Sequence, residues 1–585
     1  MKAMYTDELN VLLVVALLKK CGIKRVIASP GTTNVTLVAS LQRDGFFEMY
    51  SAADERSAAY MACGMAAESG EPVVLSCTGA TASRNYIPGL TEAYYRGLPV
   101  LAITSTQHAG RVGHNMTQVI DRSRTLNDMV RLSVHIPTIY CDEDRWACEI
   151  RINQAIGELI RRGGGPAHID LATTYSDNYD VCELPSVRCV VRHESLDDAP
   201  VVESRRVAVF VGSHVEWTER LTRAVDAFCA TYNGVVLCDV TSNYHGPYRV
   251  LTGLVMGQEL ALRDCAKPGL AIHIGGISGG YVKLRPKEVW RVSPDGEMRD
   301  TFKRMTRVFE MDEADFFEHY ADRNPIELET SSYLKEWLDE DGRLRAKVPE
   351  LPFSNLWCAN RTSAAIPADS VVHLGIRNSL RSWDFFGVPE GVRGYSNVGG
   401  FGIDGGVSSL IGAALVSPNR LYIGFVGDLA FFYDMNSLGN RFVPGNLRLC
   451  VINNGRGTEF RNYHNCAGKL GEEADPFMAA AGHYGNKSPE LLKHYAQDLG
   501  FRYFSASSKE EYEAVLPEFL TPVSDGGPVL LEVFTDSHDE SEALWAITHL
   551  DVSAEGYTKA LAKKVLGKKG KEVVKNAINS FGKRG

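Results

Sequence analysis

The stretch GDLAFFYDMNSLGNRFVPGNLRLCVINNGRGTEF at residues 427–460 decides the fold prediction. One apolar run, residues 421–426, leads into this stretch and a second, residues 447–452, lies inside it, and each has the pattern of a buried strand. Two parallel strands with a helical segment between them would bring Asp428 and Asn454 together at their carboxyl ends, where open α/β sheets bind ligands. A carboxylate, an amide oxygen and a backbone carbonyl suit Mg²⁺, although turns favour Asp, Asn and Gly without any metal.

The rest of the chain repeats this alternation of strand and helix, which is typical of parallel sheets with helices on both faces. Further strands are predicted at residues 25–28, 72–77, 98–105, 167–171, 207–211, 235–238, 270–274, 289–292, 371–375 and 529–534. Helices are predicted at residues 55–68, 146–162 and 405–415. We therefore predict an α/β fold of three doubly wound parallel-sheet domains and a C-terminal helical tail, with boundaries at residues 1–185, 186–345, 346–548 and 549–585.

The composition is that of an ordinary globular protein, since 44% of the 585 residues are hydrophobic and 23% are charged. A net charge of −10 gives no basic field for nucleic acid, and thirteen cysteines without zinc-type spacing favour reduced thiols over a disulfide framework. The longest early apolar run, residues 11–18, is too short to span a bilayer. We expect a cytoplasmic enzyme with neither nucleic-acid nor membrane partners.

The last segment, residues 554–585, is strongly basic, with seven lysines between Lys559 and Lys575. We expect a solvated helix there, while a lid over the site or an anionic partner stays open.

Two remote motifs give the chain a family resemblance. Asp428 and Asn454 are 26 positions apart, and this GD…NN stretch resembles the diphosphate-binding motif of thiamine diphosphate (ThDP) enzymes. The segment DERSAAY at residues 54–60 is similar to the glutamate helix of that family, and SCTGAT at residues 76–81 is similar to its glycine turn. The resemblance covers about residues 1–545, and the branch it resembles most is MenD, the carboligase of menaquinone synthesis.

The resemblance implies ThDP and Mg²⁺ as cofactors, and pyrimidine-binding, central and diphosphate-binding domains in that order. Glu55 would bind N1′ of the aminopyrimidine and so promote loss of the cofactor's C2 proton. Asp428, Asn454 and the main-chain carbonyl of Arg456 would hold the metal ion. Further cofactor contacts are implied at Pro30, Gly31, Thr78, Gly79, Asn397, Gly402, Ile403, Gly427, Leu429, Ala430 and Gly457.

The resemblance also implies an oligomer. In this family each cofactor lies between the first domain of one subunit and the third domain of another. We therefore expect a homodimer or a homotetramer with active sites at the subunit interface.

Four arginines that hold substrate carboxylates in MenD have no counterpart at the matching positions. Thr32-Thr33-Asn34 stands where MenD has Ser-Arg-Ser, and residues 104–107 read TSTQ where MenD has Thr-Ala-Asp-Arg. Trp383 and Val398 stand at the positions of two more arginines. Uncharged groups do not replace a bidentate guanidinium. We therefore expect that the protein is not a 2-oxoglutarate/isochorismate ligase, and that its smaller, more apolar donor site fits pyruvate or another short 2-oxo acid.

Other pocket residues are assigned by position. Gln118 matches the glutamine that many carboligases direct at the substrate adduct. His108 and His114 precede it on the same loop, where a histidine can relay protons or can simply be solvated. Glu459 and Phe460 follow the metal motif, and a glutamate there could hydrogen-bond a hydroxylated acceptor.

The sequence thus predicts a ThDP/Mg²⁺-dependent transferase or lyase. The leading interpretation is a carboligase that decarboxylates a short 2-oxo acid and adds the acyl-anion unit to a carbonyl acceptor, for example a keto sugar. A simple 2-oxo acid decarboxylase stays open, as does an inactive ThDP-fold binding protein, although Glu55, Asp428 and Asn454 are retained. FAD or a nucleotide in the central domain also stays open.

Overall fold

The computed structural model describes residues 4–214, 217–261, 263–321, 331–521 and 527–551. The chain forms two compact units, one of Met1–Pro200 with Glu288–Asp312 and the other of Val201–Lys287 with Glu313–Gly585. The three domain boundaries inferred from the sequence stay a prediction. The basic segment at residues 554–585 lies outside the described residues.

The first part of the chain forms a six-stranded parallel sheet in the order β2-β1-β3-β4-β6-β5. Its strands are β1 Arg25–Ala28, β2 Glu48–Ser51, β3 Val73–Thr78, β4 Val100–Thr106, β5 Leu132–Ile136 and β6 Ala167–Ala172. Its helices are α1 Leu9–Lys20, α2 Val35–Arg43, α3 Glu55–Ser69, α4 Thr81–Asn85, α5 Ile87–Arg96 and α6 Asp142–Glu158. The helix expected at residues 146–162 therefore begins four residues earlier and ends four residues earlier.

This sheet has an apolar core on each of its two faces. The apolar side chains of α1 pack on one face with those of α6, and α1 is buried along nine consecutive residues because it is apolar all round. The alanine-rich α3 packs with α5 on the other face. Small side chains there allow close approach: a Cβ atom on Gly89 would lie 2.4 Å from Cβ of Ala59.

The middle part of the chain contributes seven strands, and every pairing in it is parallel. Within the second unit the strand order is β10-β9-β8-β11, and within the first unit it is β12-β13-β7. The strands are β7 Val191–His193, β8 Val207–Val211, β9 Gly234–Cys238, β10 Arg249–Leu251, β11 Leu270–Ile274, β12 Glu288–Val292 and β13 Met305–Phe309. The helices of this part are α7 Glu219–Tyr232, α8 Gly253–Gly257 and α9 Glu313–Tyr320.

The last part forms a six-stranded parallel sheet in the order β15-β14-β16-β17-β19-β18. Its helices are α10 Ser332–Arg345, α11 Asn355–Ser363, α12 Asn378–Asp384, α13 Gly406–Val416, α14 Asp428–Asp434, α15 Leu491–Asp498, α16 Lys509–Phe519 and α17 Ser537–Thr548. Its strands are β14 Val371–Leu374, β15 Arg393–Ser396, β16 Tyr422–Gly427, β17 Leu447–Asn453, β18 Arg502–Ala506 and β19 Val529–Phe534. The predicted parallel α/β fold is confirmed.

The pairing of β16 with β17 positions the stretch at residues 427–460. Tyr422 lies opposite Leu447, and Gly427 lies opposite Ile452. Both strands are central and buried along almost their whole length. The residues that follow them therefore emerge next to each other at one edge of the sheet.

Among the helices that the structure describes, none combines the length and the apolar composition needed to span a bilayer.

Candidate active site

Asp428 is the first residue of α14 and directly follows the central strand β16. Its side chain is buried, with 5% of the residue surface exposed. Oδ1 accepts the N–H of Leu429 at 2.8 Å, and Oδ2 accepts the N–H of Gly455 at 2.7 Å. Burial raises the pKa of Asp428 to about 6, although these N–H donors favour its charged form. The fold therefore fixes a carboxylate at the sheet edge, where a cation would stabilise its ionised form.

Asn454 follows β17 and offers a second oxygen at the same edge. Its Oδ1 atom is shielded from solvent and has no hydrogen-bond partner within the described residues. A buried amide oxygen without a partner is costly unless a ligand takes it up. A buried carboxylate beside such an oxygen fits Mg²⁺, which prefers oxygen ligands. The donor set thus agrees with the metal site expected from the sequence, and that assignment stays a prediction.

The side chain of Arg456 turns away from this edge. Its Nη1 lies 2.8 Å from Oδ2 of Asp475, and Arg461 binds the other oxygen of the same carboxylate at 2.7 Å. The side chain is thus held in an ion-pair cluster of its own. The main-chain carbonyl of Arg456 is left as the group that could serve a metal ion.

A cavity beside α14 brings together four of the predicted cofactor residues, Asn397, Gly402, Ile403 and Ala430. His373 Nε2 and Ser396 Oγ belong to the same lining, and neither atom has a hydrogen-bond partner in the part of the chain that the structure describes. Burial lowers the pKa of His373 to about 4, so its ring is neutral at pH 7. Apolar walls with a few free polar atoms are typical of a cofactor pocket.

The two glycines of the metal motif differ in their surroundings. A Cβ atom on Gly457 would lie 3.3 Å from Cδ2 of Leu429 and 3.2 Å from the ring of Phe460. A Cβ atom on Gly427 would meet no described atom within 4 Å. Gly457 therefore serves close packing within the chain, whereas the space beside Gly427 is available to a ligand.

Glu55 opens helix α3 in the first unit and is half-buried. Asp54 caps this helix by accepting the N–H of Arg56 at 2.9 Å. Burial raises the pKa of the Cys77 thiol to about 12, and the charge of Glu55 adds to that shift. Ala58 and Ala59 of α3 share one apolar core with Cys77 of β3, so Glu55 begins a helix that packs with the strand before the predicted glycine turn.

The glycine positions of the first unit are sites of close approach. A Cβ atom on Gly31 would lie only 1.9 Å from Cγ2 of Thr78, so Gly31 cannot be replaced without movement. Pro30 and Gly31 line a cleft of about 410 Å³. At Gly79 the carbonyl accepts a hydrogen bond from Arg122 at 3.0 Å. Arg122, which the sequence did not single out, is buried and holds this turn.

The loop that carries the predicted catalytic residues His108, His114 and Gln118 lies on the surface of the chain, and all three side chains are exposed. Nδ1 of His108 accepts the N–H of Gly110 at 3.0 Å. Gln118 has a positive φ of 62°, which is uncommon for a residue with a side chain. The chain by itself does not bring these three residues together with another predicted site residue, and their catalytic roles stay a prediction.

Two of the predicted substrate residues are structural. Thr33 is buried; its hydroxyl donates to the carbonyl of Ser105 at 2.7 Å, and its own carbonyl accepts from Thr173. Trp383 is fully buried, with its ring centroid 4.6 Å from that of Phe425. Both side chains therefore pack in the core of the chain, and the substrate contacts expected from their positions stay a prediction.

The other two residues of that group differ in exposure. Thr32 is exposed, whereas Val398 is buried with 5% of its surface exposed. A Cβ atom on Gly279 would lie 3.1 Å from Cγ1 of Val398, so this valine packs against the chain.

Glu459 lies in a second cavity of the second unit and binds two arginines there. Its Oε1 lies 3.2 Å from Nη1 of Arg377 and 3.3 Å from Nη1 of Arg381. The cavity is lined by Tyr281, Leu356, Asn378, Arg381, Ser382, Glu459, Asn462, Glu540 and Leu544. This wall is charged and polar, and the smaller, more apolar donor site expected from Trp383 and Val398 stays a prediction.

Comparison with known proteins adds the family. Residues 11–125 match the family model described as thiamine pyrophosphate enzyme, N-terminal TPP binding domain. The chain is 30% identical over 566 residues to the 2-succinyl-5-enolpyruvyl-6-hydroxy-3-cyclohexene-1-carboxylate synthase of Bacteroides fragilis, which covers 92% of this chain and 98% of the relative. The synthase of the same name from Phocaeicola vulgatus is also 30% identical, over 93% of this chain and 99% of its own length. The chain belongs to the thiamine diphosphate enzyme family.

The synthase of that name from Desulfotalea psychrophila is more distant, with 27% identity over 88% of this chain. Membership confirms three predictions from the sequence: the family resemblance, the fold and the enzymatic nature of the protein. It also implies that the cofactor is ThDP. The positions of its individual ligands stay predictions.

This ThDP enzyme has a further buried acid that the sequence did not single out. Glu540, on α17, lines the cavity of Glu459 and accepts hydrogen bonds from the Asn355 N–H at 2.9 Å and the Thr535 hydroxyl at 2.8 Å. Burial raises the pKa of Glu540 to about 7, and the nearby charge of Asp428 adds to the shift. The N–H of Gly455 binds Asp428 at 2.7 Å and Glu459 follows Gly455 by four residues, so the cavity of Glu459 lies close to the predicted metal site.

Signals for these additional residues were weak in the sequence. Arg381 directly follows Asn378-Ser379-Leu380, the segment in which an arginine was expected at the place of Trp383. Glu540 follows the strand β19 by six residues and has no motif around it. Only the folded chain shows that these side chains share one cavity of the enzyme.

Proposed function

We propose that this ThDP enzyme is a Mg²⁺-dependent carboligase that decarboxylates a short 2-oxo acid and transfers the acyl-anion unit to a hydroxylated carbonyl compound, such as a keto sugar. The observation that carries the proposal is the polar cavity of Glu459, which lies close to the buried Asp428. The predicted metal site and a polar cavity with free hydrogen-bond acceptors are then neighbours in one unit.

In this proposal Asp428, Asn454 and the carbonyl of Arg456 hold Mg²⁺, and the metal ion holds the diphosphate. Bound ThDP supplies an electron sink for the carbanion that a 2-oxo acid leaves when it loses CO₂. Glu55 holds the proton-transfer system of the aminopyrimidine in its active form. The apolar wall around Ile403 positions the cofactor and excludes water.

We propose a homodimer or homotetramer in which a second subunit completes the site. The support is that Glu55 is only half-buried, and that His108, His114 and Gln118 are exposed, on the chain by itself. Carbanion chemistry needs the exclusion of water, because water would protonate the product of decarboxylation early. A surface loop meets that need when another subunit covers it.

The donor is proposed to be a short 2-oxo acid such as pyruvate. Thr33 and Val398 stand where MenD has arginines, and the loss of two guanidiniums removes anchoring groups for larger anionic substrates. The protein is therefore proposed to differ in substrate from the relatives that it matches, whose name describes a succinyl-bearing carboxylate product.

The acceptor class follows from the free hydrogen-bond acceptors of the cavity. Oε2 of Glu459 and Oδ1 of Asn462 are buried and have no hydrogen-bond partner among the residues described. Both line the cavity of Glu459, so a ligand with several hydroxyl donors would satisfy them. A sugar-like carbonyl compound has these donors, whereas an apolar aldehyde does not.

A donor–acceptor screen tests the proposal. The protein with ThDP and Mg²⁺ is incubated with pyruvate, 2-oxobutyrate or 2-oxoglutarate, each alone, with keto sugars and with isochorismate, and the products are identified by mass spectrometry. We expect an adduct of a short donor with a hydroxylated acceptor. Free aldehyde that forms equally with and without acceptors would make the protein a decarboxylase, and turnover restricted to 2-oxoglutarate with isochorismate would contradict the proposal.

A further inference from the structure

The two arginines of the Glu459 cavity are held from two sides. The Arg381 guanidinium lies 5.5 Å from the ring centroid of Tyr281, and that of Arg377 lies 5.8 Å from the ring centroid of Phe401. On the other side both share Oε1 of Glu459. Cation–π contacts of this kind stabilise an arginine independently of its carboxylate partner. The guanidiniums are therefore expected to keep their places when the charge of Glu459 is removed.

The burial of the three side chains increases toward the carboxylate. The side chain of Arg377 is 47% exposed, that of Arg381 is 24% exposed and that of Glu459 is 11% exposed. Glu459 is thus the most enclosed member, and it reaches the arginines from inside the cavity. Water screens a buried ion pair less than an exposed one. The Glu459–Arg381 pair is therefore stronger than the Glu459–Arg377 pair.

We infer that Glu459 is a specificity-determining residue whose carboxylate takes the place that a second substrate carboxylate would occupy between Arg377 and Arg381. The inference rests on the proposed function, since it concerns the substrates of the same site. The cavity then accepts substrates that bring at most one carboxylate to it and rejects dicarboxylates. The two guanidiniums that could bind a dicarboxylate are present, but a group of the protein already holds them.

The charges of the cavity support this assignment. Arg381 and Glu459 line the cavity and neutralise each other, and Arg377, which binds the same carboxylate, is 47% exposed. A second substrate carboxylate would lie against Glu459, and placing like charges together in a cavity costs several kcal/mol. Glu540 is the other acid that lines the cavity, and any ionised fraction of it adds to this repulsion.

The test compares two ligands of the same chain length that ThDP enzymes cannot decarboxylate, glutarate with two carboxylates and pentanoate with one. Binding to the holoenzyme with ThDP and Mg²⁺ is measured by isothermal titration calorimetry. We expect Glu459→Gln to raise the affinity for glutarate at least tenfold relative to pentanoate. Adding Arg381→Gln to that variant should abolish the gain, because the freed guanidinium is what binds the second carboxylate.

Glu540→Gln is the matched control, because it removes another carboxylate of the same cavity, one that accepts hydrogen bonds from Asn355 and Thr535 instead of from a guanidinium. Glu540→Gln should raise the affinity for glutarate relative to pentanoate by less than a third of the rise expected for Glu459→Gln. Circular dichroism and ThDP affinity check that each variant is folded. An unchanged glutarate-to-pentanoate ratio in a folded Glu459→Gln protein would overturn the inference, as would a gain that persists without Arg381.

A kinetic arm separates this inference from the proposed function. CO₂ release from pyruvate and from 2-oxoglutarate is measured for the wild type and for Glu459→Gln. If neither protein releases CO₂ from either 2-oxo acid but Glu459→Gln changes the ratio of glutarate to pentanoate affinity, the proposed function fails and the inference stands. If the wild type decarboxylates pyruvate but Glu459→Gln leaves that affinity ratio unchanged, the inference fails and the proposed function stands.

Discussion

The two compact units hold the predicted cofactor residues in different settings. In the second unit Asp428 is buried, hydrogen-bonded by two main-chain N–H groups and next to the orphaned amide oxygen of Asn454. In the first unit Glu55 is half-buried, and the loop of His108, His114 and Gln118 is exposed. The metal side is thus organised within one chain. The pyrimidine side needs a covering surface, which is what the proposed subunit interface would provide.

The two units also differ in how their buried titratable groups respond to pH. His168 in the first unit is buried and hydrogen-bonded to Thr104 and Ser133, and burial lowers its pKa to about 4. In the second unit burial raises the pKa of Glu540 to about 7. Desolvation disfavours the charged form in both cases. The first unit therefore loses stability from its buried base in acid, and the second loses stability from its buried acid as the pH rises.

Glu55→Gln should have the largest effect on the chemistry. The amide keeps the size of the side chain but cannot sustain the hydrogen bond of a carboxylate, so ThDP should still bind. Hydrogen–deuterium exchange at C2 of the bound cofactor, followed by NMR after acid quench, should slow by roughly 10²–10⁴-fold, the range of general acid–base catalysis. Asp54→Asn is the control, because asparagine also caps helices well. Rapid exchange in Glu55→Gln would remove this residue from catalysis.

Asp428→Ala should have the next largest effect and should act on binding. Loss of a group that only supports a metal ligand costs about 10–100-fold in affinity, and we expect a direct ligand to cost more than ~100-fold in Mg²⁺ affinity. Calorimetry of ThDP binding at a series of Mg²⁺ concentrations measures this. Asp475→Asn is the control, because that acid binds Arg456 and Arg461. If the alanine variant kept Mg²⁺-dependent ThDP binding, the metal would lie elsewhere.

The central strands and the cofactor motif could be predicted from the sequence because continuous apolar runs and a fixed spacing encode them locally. Within the described residues seven strands were missed, and six of them, β2, β5, β7, β10, β15 and β18, lie at the end of their strand order. Edge strands such as Glu48–Ser51 are partly exposed, so they lack the apolar run that identifies a buried strand.

The cavity of Glu459 could not be predicted for a different reason. Glu459 lies 78 positions beyond Arg381, and nothing in the pattern links the two arginines of one segment with a glutamate of another. Trp383 was assigned by its alignment with an arginine, yet its size and apolar character direct it into the core against Phe425. Position alone therefore identified the segment but not which of its side chains faces the cavity.

Glu540→Gln tests the opposite pH responses of the two units. The folded-state pKa of about 7 lies above the usual value of 4.5, so this group's contribution to stability is complete below pH 4.5 and is lost as the pH rises through 7. The glutamine variant cannot ionise and should escape that loss, which is of the order of 2–3 kcal/mol. Without ThDP and Mg²⁺, the melting temperature of the variant should exceed that of the wild type by several degrees at pH 8, and the two should agree at pH 4.5.

Glu542→Gln is the matched control, because Glu542 is an exposed acid on the same helix. Its melting temperature should follow that of the wild type at both pH values. A difference for Glu540→Gln that is the same at pH 4.5 and pH 8 would show that packing, and not ionisation, sets the effect.

Arg456→Ala should have the smallest effect and sharpens the assignment of a main-chain metal ligand. The Arg456–Asp475 ion pair is partly exposed, with 27% and 21% of the two side chains accessible, and Asp475 keeps Arg461 as a partner when Arg456 is removed. Partly exposed pairs contribute about 0–1 kcal/mol, so Mg²⁺-dependent ThDP affinity should fall less than about fivefold. The carbonyl at this position is present whatever the side chain, so Arg456→Gly should behave alike. A loss comparable to that of Asp428→Ala would mean that the guanidinium itself takes part in cofactor binding, and that its pairing with Asp475 is broken when the cofactor is bound.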